Sequence, residues 1–269
     1  MSLGCWARST LAAAMLAGAM LQAAVAQDML RFLDLKSDDF TKADMTRTEI
    51  EAAVVAADPS TSLDLSGRRL NGLDLSGLDL RRTKLQAARL NRAKLAGAIL
   101  DGVVLDQAWA LDADFTGASL RGASLFATQL IGAKLDRVDL SGARIVGDLS
   151  RASLQRARLD GADFSADMRN QSMGLMRGVL RSARLDGASF ENANLFRAVL
   201  EFASLRDANL KGANLKGSEL GGADFLGADV TDADFDMADV TSTRLVGLRG
   251  RDRARNLDRV RNLDRAFRD

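Results

Sequence analysis

The chain of 269 residues has no histidine and no tyrosine, a single proline and a single cysteine. Without imidazole, histidine general-base chemistry, Ser-His-Asp triads and His-containing metal sites are all excluded. One thiol, Cys5, cannot close an intramolecular disulfide. Aromatics are scarce at 5%, and an excess of either charge is missing: 37 Lys and Arg stand against 36 Asp and Glu. That balance argues against both a basic polyanion binder and a strongly acidic mimic of nucleic acid. What is present is apolar material, 47% of residues, enough for a sizeable core.

Residues 1–26, MSLGCWARSTLAAAMLAGAMLQAAVA, carry one charge, Arg8. A cationic start, an apolar stretch from Leu11 to Leu21 and the small-residue site Ala24-Val25-Ala26 before Gln27 have the order of a secretory signal peptide. The segment is too short and too rich in Ala and Gly for a retained anchor, so no transmembrane segment is expected after cleavage. Cys5 leaves with it, and the mature chain balances at 36 charges of each sign (37 − 1 against 36). A periplasmic or secreted location follows as an expectation.

From Leu65 onward the pattern has a period of five. Leu65, Leu70, Leu75, Leu80, Leu85 and Leu90 open a series of about 36 such positions to residue 245, about 27 of them Leu. Two residues before each stands a small residue, Ala in about 23 cases. Five is neither the helical period of about 3.6 nor the strand period of 2. A helix with that spacing would smear its apolar residues over every face. The pattern fits a short straight side followed by a corner. Two residues of each five point inward, and Gly67, Gly72, Gly77 and Gly97 fall at corners. Four sides close a square tier of about twenty residues, and tiers stack about 4.8 Å apart.

The tandem Ala-(Asp/Asn)-Leu-x-x, plain in ANLKGANLKGSELGGADF, resembles the pentapeptide-repeat family. The resemblance implies an all-β solenoid, a right-handed quadrilateral β-helix, here of about nine coils with short helical caps at both ends. It says little about activity, since the repeat is a scaffold code. Some cytosolic members of that family mimic duplex DNA and act on type II topoisomerases, which needs a strongly negative surface. Some wider β-helices cleave acidic polysaccharides with Asp and Arg clusters. Here those residues fall on the structural repeat, and a tier of twenty residues leaves no cavity.

The expected division is a signal peptide at 1–26, a lead-in and capping helix at 27–60, repeats at 61–246 and a C-terminal capping helix at 247–269. Thr46 and Glu49 have capping-box spacing, with Ile50, Ala53, Val54 and Ala57 on one face and Asp58-Pro59 as the stop. At the far end Leu257, Val260, Leu263 and Phe267 share roughly one helical side. The register slips once, from Ile145 to Leu149. An extra residue between Phe164 and Leu175 would compensate, so that 145–175 makes six sides. Segment 165–174, SADMRNQSMG, is the expected bulge, with Met168, Met173 and Met176 as gap-fillers or a soft contact patch. Asp34–Met45 departs from a calcium-loop pattern at Lys36, Asp39 and Met45.

Asp74, Lys94, Asp114 and Lys134, twenty apart, should stack as an alternating ion-pair ladder. Charge also runs unevenly: 81–95 holds only cations and 219–239 only acids, which predicts a basic end and an acidic end. Candidate partner-binding residues are therefore Arg82, Arg89, Arg92, Met168, Met173, Asp224, Asp229 and Asp234. Trp109 joins them, either exposed as an anchor or turned in to cover the small Ala110. No catalytic residue, metal or cofactor is expected. The reading is an exported, non-enzymatic scaffold presenting a rigid charged surface to another protein, with no nucleic acid partner. The alternative is a DNA-mimic topoisomerase-binding protein, if the chain stays in the cytosol.

Overall fold

A computed structural model describes residues 33–57, 62–168 and 176–269. The signal-peptide segment 1–26, Asp58-Pro59, Met173 and Leu175 lie outside them. The chain divides into two compact units, Met1–Phe40 and Thr41–Asp269. In the first, the Asp34 carboxylate accepts from the Lys36 N–H at 3.0 Å, an ordinary Asx turn. A single helical turn, α1 (Asp38–Thr41), spans the division between the two units.

The second unit is built from pentads, and the backbone explains why five residues suffice. In the pentad Asp114–Ala118, the Asp114 N–H donates down to Ala93 O at 2.9 Å and the Phe115 N–H up to Lys134 O at 2.7 Å. The corner follows: Gly117 N–H donates up to Asp136 O at 2.9 Å, and Ala118 N–H turns back to Phe115 O at 2.9 Å. One donor is left over, the N–H of Thr116, and the Asp114 carboxylate accepts it at 3.0 Å. The middle Asp or Asn of the repeat thus satisfies the only orphan donor of its own corner. At several corners without such a residue, an Asp or Asn of the tier below substitutes. Asp101 takes the Arg121 N–H at 3.0 Å and Asp106 the Phe126 N–H at 2.9 Å. Left-handed backbone recurs at the second corner residue, as at Gly97 (φ 65°) and Gly117 (φ 66°).

Stacked pentads make four ladders of parallel bridges. The first runs through Lys84, Val104, Ser124, Arg144, Asp163 and Asn194, and the second through Arg89, Trp109, Gln129, Asp148, Val179 and Val199. The third contains Lys94, Asp114, Lys134, Ser153, Arg184 and Ser204, and the fourth Ile99, Ser119, Asp139, Arg158, Ser189 and Asn209. Among the described residues four strands of two residues pair: β1 (Leu63–Asp64) on β2 (Thr83–Lys84), and β3 (Arg244–Leu245) on β4 (Phe267–Arg268). Elsewhere a side is long enough for one bridge alone. The inward Leu and Ala positions are buried throughout. Each buried Leu is worth roughly 1.5–3 kcal/mol relative to exposure. Rings stack inside the tube where Phe replaces Leu, with Phe164 and Phe190 centroids 6.1 Å apart.

At the N-terminal end a helix begins at the capping-box pair Thr46 and Glu49. Helix α2 (Arg47–Ala56) starts at Thr46, whose hydroxyl accepts from the Glu49 N–H at 3.3 Å, while Glu49 Oε2 accepts the Thr46 N–H at 2.7 Å. Ile50 is fully buried and covers the open end of the tube, and Ala43 bridges antiparallel to Leu70.

Two expectations are corrected. The insertion after Phe164 is eleven residues, not one. Val179 bridges to Asp148, so the wall passes from Phe164 directly to Val179 and Leu180. Among the described residues the insertion contributes no bridge to the ladders. Its base is tied by Gly178 N–H to Phe164 O (2.9 Å) and Asp167 N–H to Met176 O (2.8 Å). Glycine is required at both irregular corners: a Cβ on Gly147 would meet the Thr128 carbonyl oxygen at 2.4 Å, and one on Gly178 the Phe164 ring at 2.7 Å.

The second correction concerns 247–269, which is not an α-helix. Arg249, Arg255 and Arg261 bridge to Asp229, Asp234 and Asp239, and β4 completes one more tier. Its sides are six residues long, and the extra residue is absorbed in short 3-10 turns at Arg251–Arg253 and Leu263–Arg265. The repeat RNLDRV-RNLDRA mimics helical periodicity because its apolar residues recur at three- and four-residue intervals.

Candidate functional surfaces

The expected acidic end is neutralised by its neighbours in space. Asp224 lies 2.7 Å from Arg206 and 3.6 Å from Arg244, and Asp229 lies 3.4 Å from Lys211. Asp234, 4% exposed, sits 3.1 Å from Lys216 and accepts from Asn256 Nδ2 at 2.8 Å. The adjoining tiers, 18–22 residues away in sequence, supply the cations. These carboxylates are wall components and present no acidic patch.

Their titration reports the same role. Burial pushes Asp229 up, but hydrogen bonds from the Thr231 hydroxyl and N–H and the Lys211 ammonium outweigh it, leaving the carboxyl below its usual range. Asp234 and Asp239 are lowered against burial in the same way, by Asn256 and Lys216 and by Thr241 and Asn262. A carboxyl serving as a general acid needs the opposite shift.

On the basic segment, Arg82, Arg92 and Lys94 are exposed and Arg89 is half-buried on the second ladder. The segment does not form one patch. Arg82 and Arg92 occupy different corners, and Lys94 faces outward from the third ladder. The anticipated ion-pair ladder exists as a stack of bridges, but its acids are engaged elsewhere. The Asp74 carboxylate takes the Ser76 N–H at 3.1 Å and lies 3.4 Å from Arg47.

Trp109 stays outside, half-buried between Arg89 and Gln129, while Ala110 is buried on its own. Met168 is 44% exposed, with its sulfur 3.5 Å from Arg197 Nη1. A cavity of about 390 Å³ lies between α2 and the first tier, lined by Val54, Ala57, Leu63, Asp79, Arg81, Arg82 and Thr83. Asp79 and Arg81 close on each other there at 2.5 Å. Among the described residues no group of carboxylates or thiols is arranged to hold a metal ion, and no helix is long and apolar enough to cross a membrane.

The sequence reading missed a cluster on the third ladder and its corners: Lys134, Arg137, Arg151, Arg156 and Arg184, all exposed. Its members are separated by up to fifty positions, so no window shows them together. Folding the sequence into tiers, with the full eleven-residue insertion removed, would have found them.

Comparison with known proteins agrees with this geometry. The pentapeptide repeats family matches in eight copies within residues 62–142 and 179–246. No curated protein matches the chain. Among solved structures, HetL, a pentapeptide repeat protein involved in heterocyst differentiation regulation from the cyanobacterium Nostoc sp. strain PCC 7120, is 29% identical with a TM-score of 0.57, covering 76% of this chain and 90% of HetL. QnrB1, a plasmid-mediated fluoroquinolone resistance protein, is 18% identical (TM-score 0.40), covering 78% of this chain and 92% of its own. A thylakoid-lumen pentapeptide repeat protein of Arabidopsis thaliana is 25% identical (TM-score 0.16), covering 62% and 68% respectively. With its ladders of pentads and a match over more than half its length, the chain belongs to the pentapeptide-repeat family.

Proposed function

We propose that this is an exported, non-enzymatic scaffold, a right-handed quadrilateral β-helix of about nine coils that holds a rigid surface for a partner protein. One observation carries the reading: most carboxylates of the described tiers, the plentiful acid–base groups in a chain without histidine, are committed to corner N–H groups and neighbouring cations. A binding role leaves those bonds intact; catalysis by these carboxylates would break them. Export rests on the ordered regions of residues 1–26 and implies a mature chain beginning at Gln27.

N-terminal sequencing of the protein recovered from the periplasm or medium tests the location, with Gln27 as the expected first residue. A cytosolic protein starting at Met1 would overturn export and favour the topoisomerase alternative. That alternative gains nothing from the surface, because the acids of 219–239 are paired. A supercoiling assay in which the protein inhibited a type II topoisomerase would replace the scaffold reading. Hydrolysis of a glycan or ester, abolished by a carboxylate substitution, would do the same.

A further inference from the structure

We propose that the wall carrying the third ladder docks onto an anionic lipid surface, with Lys134, Arg137, Arg151, Arg156 and Arg184 over the headgroups and Phe202 inserted at the rim.

The first argument is unbalanced charge. Many cations of the tiers are paired, as Arg121 is with Asp101 at 2.7 Å and Arg181 with Glu201 at 2.7 Å. Arg82, Lys84, Arg92 and Lys94, also without an ion pair among the described residues, are spread over separate corners and ladders. Among the described residues none of the five cations of this wall has a carboxylate within ion-pairing distance. They occupy three consecutive tiers. Lys134 and Arg184 stand on the ladder either side of Ser153, with Arg137 and Arg156 at one corner and Arg151 at the other. Two tiers span about 10 Å, so the five lie within one compact field.

The acids of these tiers are turned to the wall. Asp136 accepts from the Ser153 hydroxyl and, at 2.9 Å, from the Gln155 N–H. Asp186 accepts from the Ser204 hydroxyl and, at 3.1 Å, from the Arg206 N–H. Asp112 and Asp114 one tier below, and Asp207 one tier above, border the field and confine it to the middle of the wall.

Phe202 is the second, independent observation. It is 67% exposed and occupies the corner between the second and third ladders, in the column that also holds Arg151. Its φ of 58° is left-handed, an expensive setting for an aromatic residue. The ring lies over Gly222, where a Cβ would meet it at 2.6 Å, so it projects along the rim without entering the core. Ser182 and Ser242 serve the same corner of other tiers at φ 56°, so the fold does not need a ring there.

A straight ladder is a flat surface, matched to a planar array of charge. It has no groove to hold a linear polymer and no curvature to follow a duplex. Each cation close to an anionic bilayer contributes about fivefold in affinity, and an aromatic ring at headgroup depth adds to that.

The test is cosedimentation of the full chain, at about 0.1 M salt, with vesicles of phosphatidylcholine and phosphatidylglycerol (3:1) and with pure phosphatidylcholine. Residues 1–26 are common to every variant, so differences between variants report the wall. Binding at least tenfold tighter to the anionic vesicles is expected. Arg151→Glu with Arg156→Glu should remove at least tenfold, and the milder Arg151→Gln with Arg156→Gln a smaller share. Phe202→Ser should weaken binding about threefold. The same charge change on the opposite wall, Arg82→Glu with Lys84→Glu, should cost less than threefold. Thermal melts within a few degrees of the parent confirm that the variants fold. Equal binding to both vesicles, equal loss from either wall, or indifference to Phe202→Ser would overturn the proposal. So would tighter capture by a 30-base-pair duplex that ignores Phe202.

Discussion

At the scale of single residues, the tube tolerates change by position within the pentad more than by residue type. Leu195 is fully buried among inward residues, so Leu195→Asp would bury an unpaired carboxylate and cost several kcal/mol. Glycines divide into two kinds. Gly97 has φ 65° and open space around its missing Cβ, so Gly97→Ala should cost about 1 kcal/mol in backbone strain alone. Gly147 faces the Thr128 carbonyl at 2.4 Å, so Gly147→Ala must displace the wall itself and should cost about 3 kcal/mol. Denaturant unfolding of the two alanine variants checks the order. If they proved equally costly, the close approach at the short corner would be wrong.

For the pentad as an element, the decisive group is the carboxylate or amide that caps the corner N–H. Asp229 takes the Thr231 N–H at 3.1 Å, and Asn209 and Asn214 do the same for Lys211 and Lys216 at 3.2 Å. Asp229→Asn therefore keeps the acceptor and loses only the Lys211 pair, for about 0.5 kcal/mol. Asp229→Ala strands the donor and should cost about 1–2 kcal/mol. The same bonds set the pH response. Asp79, Asp101, Asp229, Asp234 and Asp239 are all lowered in the folded state. A group whose folded pKa is depressed contributes stability above its unfolded value, near 3.9, and loses it as pH falls through the folded value. With no histidine to titrate, the melting temperature should be flat from about pH 8 to 5 and fall below about pH 4. A step between pH 5 and 7 would contradict this. Much of this element was legible beforehand, because period five fixes which residues point inward and where corners fall. The capping role of Asp was not, since it emerges only when all five N–H groups are assigned partners.

Over the whole molecule, legibility fails wherever a property depends on which tier touches which. The acids 219–239 look like a patch until the cations of Lys211, Lys216 and Arg244 arrive from adjoining tiers, and the cations of the third ladder look scattered until the same stacking gathers them. The insertion shows the same limit: Leu175 fits the period of five, yet Val179 on Asp148 is what continues the wall. The C-terminal end carries the last consequence. Its six-residue sides cover the upper edge of the tube, with β4 laid on β3 and the Gly247 N–H held by the Asp269 carboxylate at 2.7 Å. Bridge-forming edges left open invite pairing with a second chain. Ending the chain after Val246 would remove that tier and bare the carbonyls of Ala228, Ala233 and Ala238 and the N–H groups of Val230, Phe235 and Val240. It would also strip Asp234 of its Asn256 and Arg255 contacts and Asp239 of Arg261. The truncated protein should keep its β-rich far-ultraviolet spectrum, because each tier depends on its neighbours only. It should elute as soluble oligomers or aggregate, measured by size exclusion with light scattering. An unchanged elution and melting temperature would show that the six-residue tier is an appendage to the solenoid and not its cap.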